Sequence, residues 1–321
     1  MEIIINHAIL HIVDNKTRKY IYSENELDID SDMVSEFLQK HIKKVFRDSS
    51  TKEGTFNPDS GVLQIFSEYK NGAAFFADTT RKICEKLVTI LDSAPDIPSA
   101  DIVFVQFDVG YDSYMAILKF THREYYGHEI CSSSTCITKN AAAGKIEQAV
   151  IIPYEPMLLR IIEKPYPING QPSNYFSSVF LECTPEPSKK EIAKIIKDVT
   201  EEIAEKYGDD DMIEAKVNAA LIEEALEKEG EVRLENVAAA AFEDEDMRRD
   251  FVAALRENEI IADVQLGEKF AMAQFGSYKF KASNGIEVRF PVGLMDDSEI
   301  VDIIKNDDSS LTITLKGLRR S

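Results

Sequence analysis

The chain is poor in the patterns that mark several large protein classes. It has four cysteines in 321 residues, Cys84, Cys131, Cys136 and Cys183, and no CxxC pair among them. Scattered single thiols argue for a reducing cytosol and against a disulfide framework or a zinc ribbon. Cys131 and Cys136 bracket Ser132 to Thr135, a spacing that fits no metal template. No apolar run approaches the roughly 18 residues that span a bilayer, and Met1 to His7 lacks the basic start of a signal peptide. A soluble cytoplasmic protein without a membrane span is expected. There is no alternation of strands and helices of the kind that builds a parallel sheet. Gly144-Lys145 lacks both the upstream glycine and the Ser or Thr of a phosphate loop. Neither a cofactor nor a bound metal is expected.

An excess of cations is also missing. The net charge is −20 and the pI about 4.7, which weighs against nucleic-acid binding, where phosphate contact supplies most of the affinity. The distribution changes that conclusion. Residues 1–180 carry a net −6, residues 181–262 a net −13, and residues 263–321 a net −1. The middle segment holds most of the excess, so both flanks can carry local basic patches.

What is present is a chain of 44% hydrophobic residues, enough for a substantial core without covalent staples. Met1 to Tyr22 reads as a hairpin with Ile3, Ile5, His7, Ile9 and His11 on one face and its turn at Asp14-Asn15-Lys16. Ser31 opens an amphipathic helix in which Val34, Phe37, Leu38, His41 and Val45 recur at helical spacing, with Lys40, Lys43, Lys44 and Arg47 opposite. Asp48 to Gly61 reads as a surface loop, and Phe75 to Leu91 as a helix. Ile102–Phe107 and Tyr114–Phe120 pair around Gly110, apolar enough for the centre of a sheet. Shorter strands are expected at Glu129–Thr138, Lys145–Ile152, Leu158–Glu163 and Tyr175–Cys183.

Thr184-Pro185-Glu186-Pro187 disfavours any regular element and separates two expected domains, 1–184 and 185–321. Ser188 and Glu191 form a capping box for a helix that ends at Gly208. Met212–Glu229, Leu234–Phe242 and Asp246–Asn258 complete a helical bundle. The C-terminal end, from Lys269 to Arg320, reads as two β-hairpins. In the first, Ser283-Asn284-Gly285 turns a run with Tyr278, Phe280 and Ala282 into one with Ile286, Val288 and Phe290. In the second, Val301–Lys305 precedes Leu311–Lys316. The fold class is therefore α+β: a mixed, largely antiparallel N-terminal domain, a helical bundle and C-terminal β-hairpins.

The ending from Asp307-Asp308-Ser309-Ser310 through Leu311-Thr312-Ile313-Thr314-Leu315-Lys316-Gly317 resembles that of the bacterial nucleoid-associated protein family (NdpA-like). Ile5-Asn6-His7-Ala8-Ile9-Leu10-His11, Asp101–Phe107 and Tyr114–Leu118 extend the resemblance over nearly the whole chain. Many relatives continue past Lys-Gly with a proline-containing tail, where this sequence has Arg319-Arg320-Ser321. The resemblance implies a non-enzymatic DNA-binding protein of the bacterial nucleoid, associated with type II topoisomerases. It supplies no DNA-contact motif, so candidate sites come from these residues alone.

Two basic groups are candidates for contact with DNA. Lys40, Lys43, Lys44 and Arg47 form a stripe along about two helical turns, or simply a wet helix face whose cations suit the dipole. Lys279, Lys281 and Arg289 line the outer face of the first terminal hairpin, helped by Lys269, Lys316, Arg319 and Arg320. A two-stranded ribbon can lie along phosphates, and lysines can equally guard a sheet edge. Tyr278, Phe280 and Phe290 read as core rather than base-stacking residues. His7 and His11 stand about 13 Å apart along a strand, too far to share a metal, and read as packing residues. His122, Glu124, Tyr125, Tyr126, His128 and Glu129 form the one segment where acid-base or metal chemistry is conceivable; no catalytic residue is assigned. The acidic helices are a solvated surface or a DNA mimic that docks on DNA-handling enzymes. DNA, a type II topoisomerase and a second copy of the chain are the partners considered.

Overall fold

The computed structural model describes the backbone except at residues 132–133, 169, 209, 262, 282–284, 295–298, 306–310 and 318–321. Side chains are described outside these and outside 123–131, 134–145, 210–212, 280–281, 303, 305 and 311. The chain divides into two units, Met1–Ser188 and Lys189–Ser321.

In the first unit β1 (Ile4–Asp14) and β2 (Lys19–Ile21) precede helix α1 (Asp32–Arg47). Then come β3 (Lys52–Phe56), α2 (Gly61–Lys70), α3 (Phe76–Asp92), β4 (Ala100–Val109), β5 (Asp112–Cys131) and β6 (Ser134–Pro153). β7 (Leu159–Ile162), a small hairpin of β8 (Tyr166–Ile168) and β9 (Gln171–Ser173), a π-helical turn at Phe176–Leu181 and β10 (Cys183–Pro185) complete it. Eight strands form one antiparallel sheet in the order β10-β3-β7-β6-β5-β4-β1-β2.

Both faces of this sheet are covered. Ile102 and Phe104 of β4 pack with Val62 and Phe66 of α2 and Ile83, Leu87 and Leu91 of α3. Val103, Val105 and Phe107 point the other way, onto Leu38, Ile42 and Val45 of α1. A strand buried on both sides has no polar alternation to display, which is why Ile102–Phe107 reads as an almost unbroken apolar run. Each such side chain contributes roughly 1.5–3 kcal/mol by leaving water.

Several local expectations change. The simple alternation along β1 is broken by a β-bulge at Asn6, for Ile5 stands opposite Phe107 and His7 opposite Gln106. Ile3 and Ile5 therefore pack on the α1 side, while Ile9 and His11 face α3. One extra residue inverts every face beyond it. Residues 52–56, read as loop, form β3 between β7 and β10. Gly54 permits this, because a Cβ there would lie 3.0 Å from Pro185 Cα and Thr184 O. Helix α2 had no counterpart in the sequence reading. Tyr175–Cys183 is not a strand: buried Glu163 accepts the Ser177 N–H at 3.1 Å and the Ser177 hydroxyl at 3.0 Å, holding the start of the π-helical turn. β5 and β6 are a single hairpin of 20 residues per strand rather than shorter pieces.

The second unit begins with α4 (Lys189–Tyr207), α5 (Asp210–Glu227), α6 (Leu234–Ala241) and α7 (Glu245–Glu257). Ile196, Val199, Ile203, Val217, Leu221, Val237, Phe251 and Leu255 bring the four together in one core. A two-residue pairing of β11 (Glu231–Val232) with β12 (Val264–Gln265) precedes a fifth helix, α8 (Glu268–Phe275). Lys269 thus lies on a helix, not at the start of a hairpin, because Ala271 and Phe275 pack into the bundle core at helical spacing. Two hairpins follow, β13 (Ser277–Lys281) with β14 (Glu287–Pro291) and β15 (Val301–Lys305) with β16 (Leu311–Leu315). Tyr278 stands opposite Phe290, and both are buried with Ala215, Val292 and Val301. Those two aromatics are core residues; the Phe280 side chain lies outside the described residues.

Candidate nucleic-acid interface

Burial of Leu38, Ile42 and Val45 against the sheet fixes the rotation of α1 about its axis. That rotation turns Lys40, Lys44 and Arg47 to solvent and leaves Lys43 partly exposed. Glu36, Gln39, Lys40, His41, Lys43, Lys44 and Arg47 line an open concavity of about 610 Å³. Among the described residues no carboxylate comes within 4.0 Å of any of the four cations. Their charge is available to an incoming anion.

His41 belongs to this concavity as well as to the packed face. Its ring meets Phe37 at 4.6 Å and Phe120 at 4.9 Å between centroids, and its Nδ1 is buried without a hydrogen-bond partner. Burial first, then the charges of Lys40 and Lys44, pull its pKa below the ordinary histidine value. The residue thus registers the positive potential of the stripe. Sequence reasoning placed His41 on the apolar face; its position between Lys40 and Lys44 was the available signal for the rest. A second hollow of about 330 Å³ shares Lys44 but is lined also by Asp48, Glu147, Glu163 and Lys164. Its three carboxylates make it a poor place for a phosphate.

The other basic group is differently placed. Lys279 is held 3.0 Å from Glu287 across the β13–β14 ladder. Arg289 donates through Nε to Ser277 Oγ at 2.8 Å, and Lys316 lies 3.6 Å from Asp302. Lys269 is exposed on α8. The side chains of Lys281, Arg319 and Arg320 lie outside the described residues. The α1 stripe belongs to the first unit and all the others to the second.

His7, His11 and His122 have polar partners. His7 Nδ1 stands 2.9 Å from Glu26. His11 is fully buried; its Nδ1 accepts the Ser23 N–H, which leaves Nε2 as the protonated nitrogen donating to Thr80 Oγ1 at 3.1 Å. His122 Nε2 lies 2.8 Å from Asp101. The Glu124, Tyr125, Tyr126, His128 and Glu129 side chains lie outside the described residues, as do those of Cys131 and Cys136. Among the described residues no three His, Cys, Asp or Glu side chains gather as metal ligands, and no helix is long and apolar enough to cross a membrane.

These features define an acidic α+β protein in which a cluster of cations without ion pairs lies along a sheet-packed helix. Residues 9–321 match the family model described as nucleoid-associated protein YejK. The chain belongs to that nucleoid-associated family. Comparison with curated proteins gives no match.

Proposed function

We propose that this protein binds duplex DNA without sequence selectivity, through phosphate contacts made by the outer face of α1, and has no enzymatic activity. The observation that carries the reading is the set of four cations, Lys40, Lys43, Lys44 and Arg47, lining one concavity with no described carboxylate in ion-pair range. A helix on a two-layer base is a rigid support, so the charges need little ordering when they meet a phosphate backbone. The nucleoid-associated family supports the same reading. The terminal hairpin cations contribute less, since Lys279 and Lys316 already have carboxylate partners. Four phosphate contacts imply that log affinity falls against log salt with a slope of about −3.6. Titration of a labelled duplex at several salt concentrations, read by fluorescence anisotropy, tests this; no binding at low salt would overturn it.

A second reading rests on the other unit. Glu243, Asp244, Glu245 and Asp246 are consecutive and exposed, and among the described residues only Asp246 forms an ion pair, with Arg249. Such a surface suits the basic face of a DNA-handling enzyme such as a type II topoisomerase. Salt-sensitive association with that enzyme in the absence of DNA, together with no duplex binding, would favour it.

A further inference from the structure

The β5–β6 hairpin outruns the sheet that carries it. β4 accompanies β5 only as far as Thr121, opposite Ala100. β7 accompanies β6 only across Ala149–Ile151. From His122 opposite Ala143 to Cys131 opposite Ser134 the two strands, among the described residues, pair only with each other, apart from the His122 N–H, which donates to Ser99 O at 2.9 Å. Ten residues at about 3.3 Å each make a two-stranded ribbon roughly 33 Å long. A hairpin without a third strand or a packed helix is at best marginal in water, and its unpaired edges invite a partner.

The root of the ribbon is tied to the basic helix. Irregular pairing brings Phe120 opposite Ile146 just before the ribbon starts, and the Phe120 ring is met by those of Phe37, tilted, and His41, edge-on, at 5.3 and 4.9 Å between centroids. Lys40 and Lys44 flank His41 on that helix. The composition of the ribbon departs from the rest of the chain. Residues 122–145 contain Arg123, Lys139 and Lys145 against Glu124 and Glu129, and no carboxylate between Ile130 and Lys145, in a chain of net charge −20.

We infer that this ribbon enters the major groove of duplex DNA while the α1 stripe holds the adjacent phosphates. The inference rests on the DNA-binding reading above and assigns the groove-entering element. A major groove about 12 Å wide admits a two-stranded ribbon. The local excess of cations over residues 122–145 suits a polyanion, and the adjacent α1 cations extend the same sign of charge.

The test replaces residues 124–141 of the full chain with Asn-Gly, a two-residue turn suited to closing the shortened hairpin. Thermal unfolding checks that the sheet persists, and a Lys139→Ala plus Lys145→Ala variant, which keeps the ribbon, repeats the measurement should the shortened chain fail to fold. Dimethyl sulfate footprinting reads protection of guanine N7 in the major groove, and anisotropy reads affinity. The expected result is N7 protection by the full chain, lost on shortening, with affinity down at least tenfold. For the lysine double variant the expected result is an affinity loss of severalfold. Equal protection and affinity in the full and shortened chains would overturn the inference while leaving phosphate binding by α1 intact. A shortened chain that keeps its DNA affinity but loses self-association in sedimentation would assign the ribbon to a second copy instead. Absence of duplex binding by the full chain itself would defeat the underlying reading, and the inference with it.

Discussion

The Lys119 ammonium lies 5.5 Å from the ring centre of Tyr166, fully buried and without a hydrogen-bond partner. Lys119 stands opposite Gln148 at the point where the β5–β6 ladder becomes irregular. Desolvation dominates its ionisation: its pKa falls to about 8 despite the nearby Glu147 carboxylate, with Lys164 adding to the depression. A charge held this way is a cost to the fold.

Replacing it removes the cost. Lys119→Met is expected to leave the protein as stable or up to about 4 kcal/mol more stable at pH 7, as for other buried charges exchanged for apolar groups. The pH dependence has a definite sign. Between pH 8 and 10.5 the unfolded chain holds a proton that the folded chain has released, so wild-type stability rises there, by up to about 3 kcal/mol from this residue. Urea unfolding of both proteins from pH 7 to 10 measures this; an equal pH slope in the two would contradict the assignment.

His11 acts at the opposite end of the pH scale. Burial, with help from Arg81, lowers its pKa to about 4 from the ordinary 6.5. The folded state therefore keeps it neutral while the unfolded chain takes up a proton below pH 6.5. Its contribution is fully present above pH 6.5 and is lost as pH falls towards 4, by up to about 3 kcal/mol. His11→Gln should lose that part of the acid dependence while lowering stability at pH 7 by roughly 1–3 kcal/mol, since Ser23 and Thr80 lose their partner. Denaturation midpoints between pH 4 and 7 provide the comparison.

Charge reversal separates the two basic groups. Lys43→Glu with Lys44→Glu should lower duplex affinity at least about tenfold and make the log-log salt slope shallower by about 2. Lys279→Gln should change affinity by less than about threefold, because Glu287 already neutralises that lysine. If the hairpin substitution has the larger effect, the interface lies in the second unit.

Gly230 joins α5 to β11 at a positive φ of 92°, and a Cβ there would overlap the backbone of Gly267. The Gly267 N–H donates to Gly230 O at 2.9 Å, so the two loops lie backbone to backbone. Gly230→Ala should cost about 1–3 kcal/mol, seen as a lower midpoint in thermal unfolding.

The candidate stripe was legible because Lys40, Lys43, Lys44 and Arg47 recur at helical spacing opposite an apolar face. Which cations stay unpaired was not legible. Glu287 neutralises Lys279 across the ladder, from eight residues away in sequence, and Asp302 faces Lys316 across another. Strand register decides such pairings, and Asn6 shows how a single bulge inverts it. The strand at 52–56 was hidden because its eligibility depends on Gly54 meeting Pro185, more than 120 residues away.

By itself, the sequence determined the α+β class, the first four bundle helices, the central strands of the sheet and the uneven spread of charge. These follow from local periodicity, turn chemistry and composition, which need only neighbouring residues. Tertiary structure alone decided that α1 and α2–α3 cover opposite faces of one sheet, that Lys119 and His11 are buried, and that the β5–β6 ribbon continues, among the described residues, without a third strand. Each of these depends on contacts between residues far apart in the chain, where burial and register set the energy and local pattern does not.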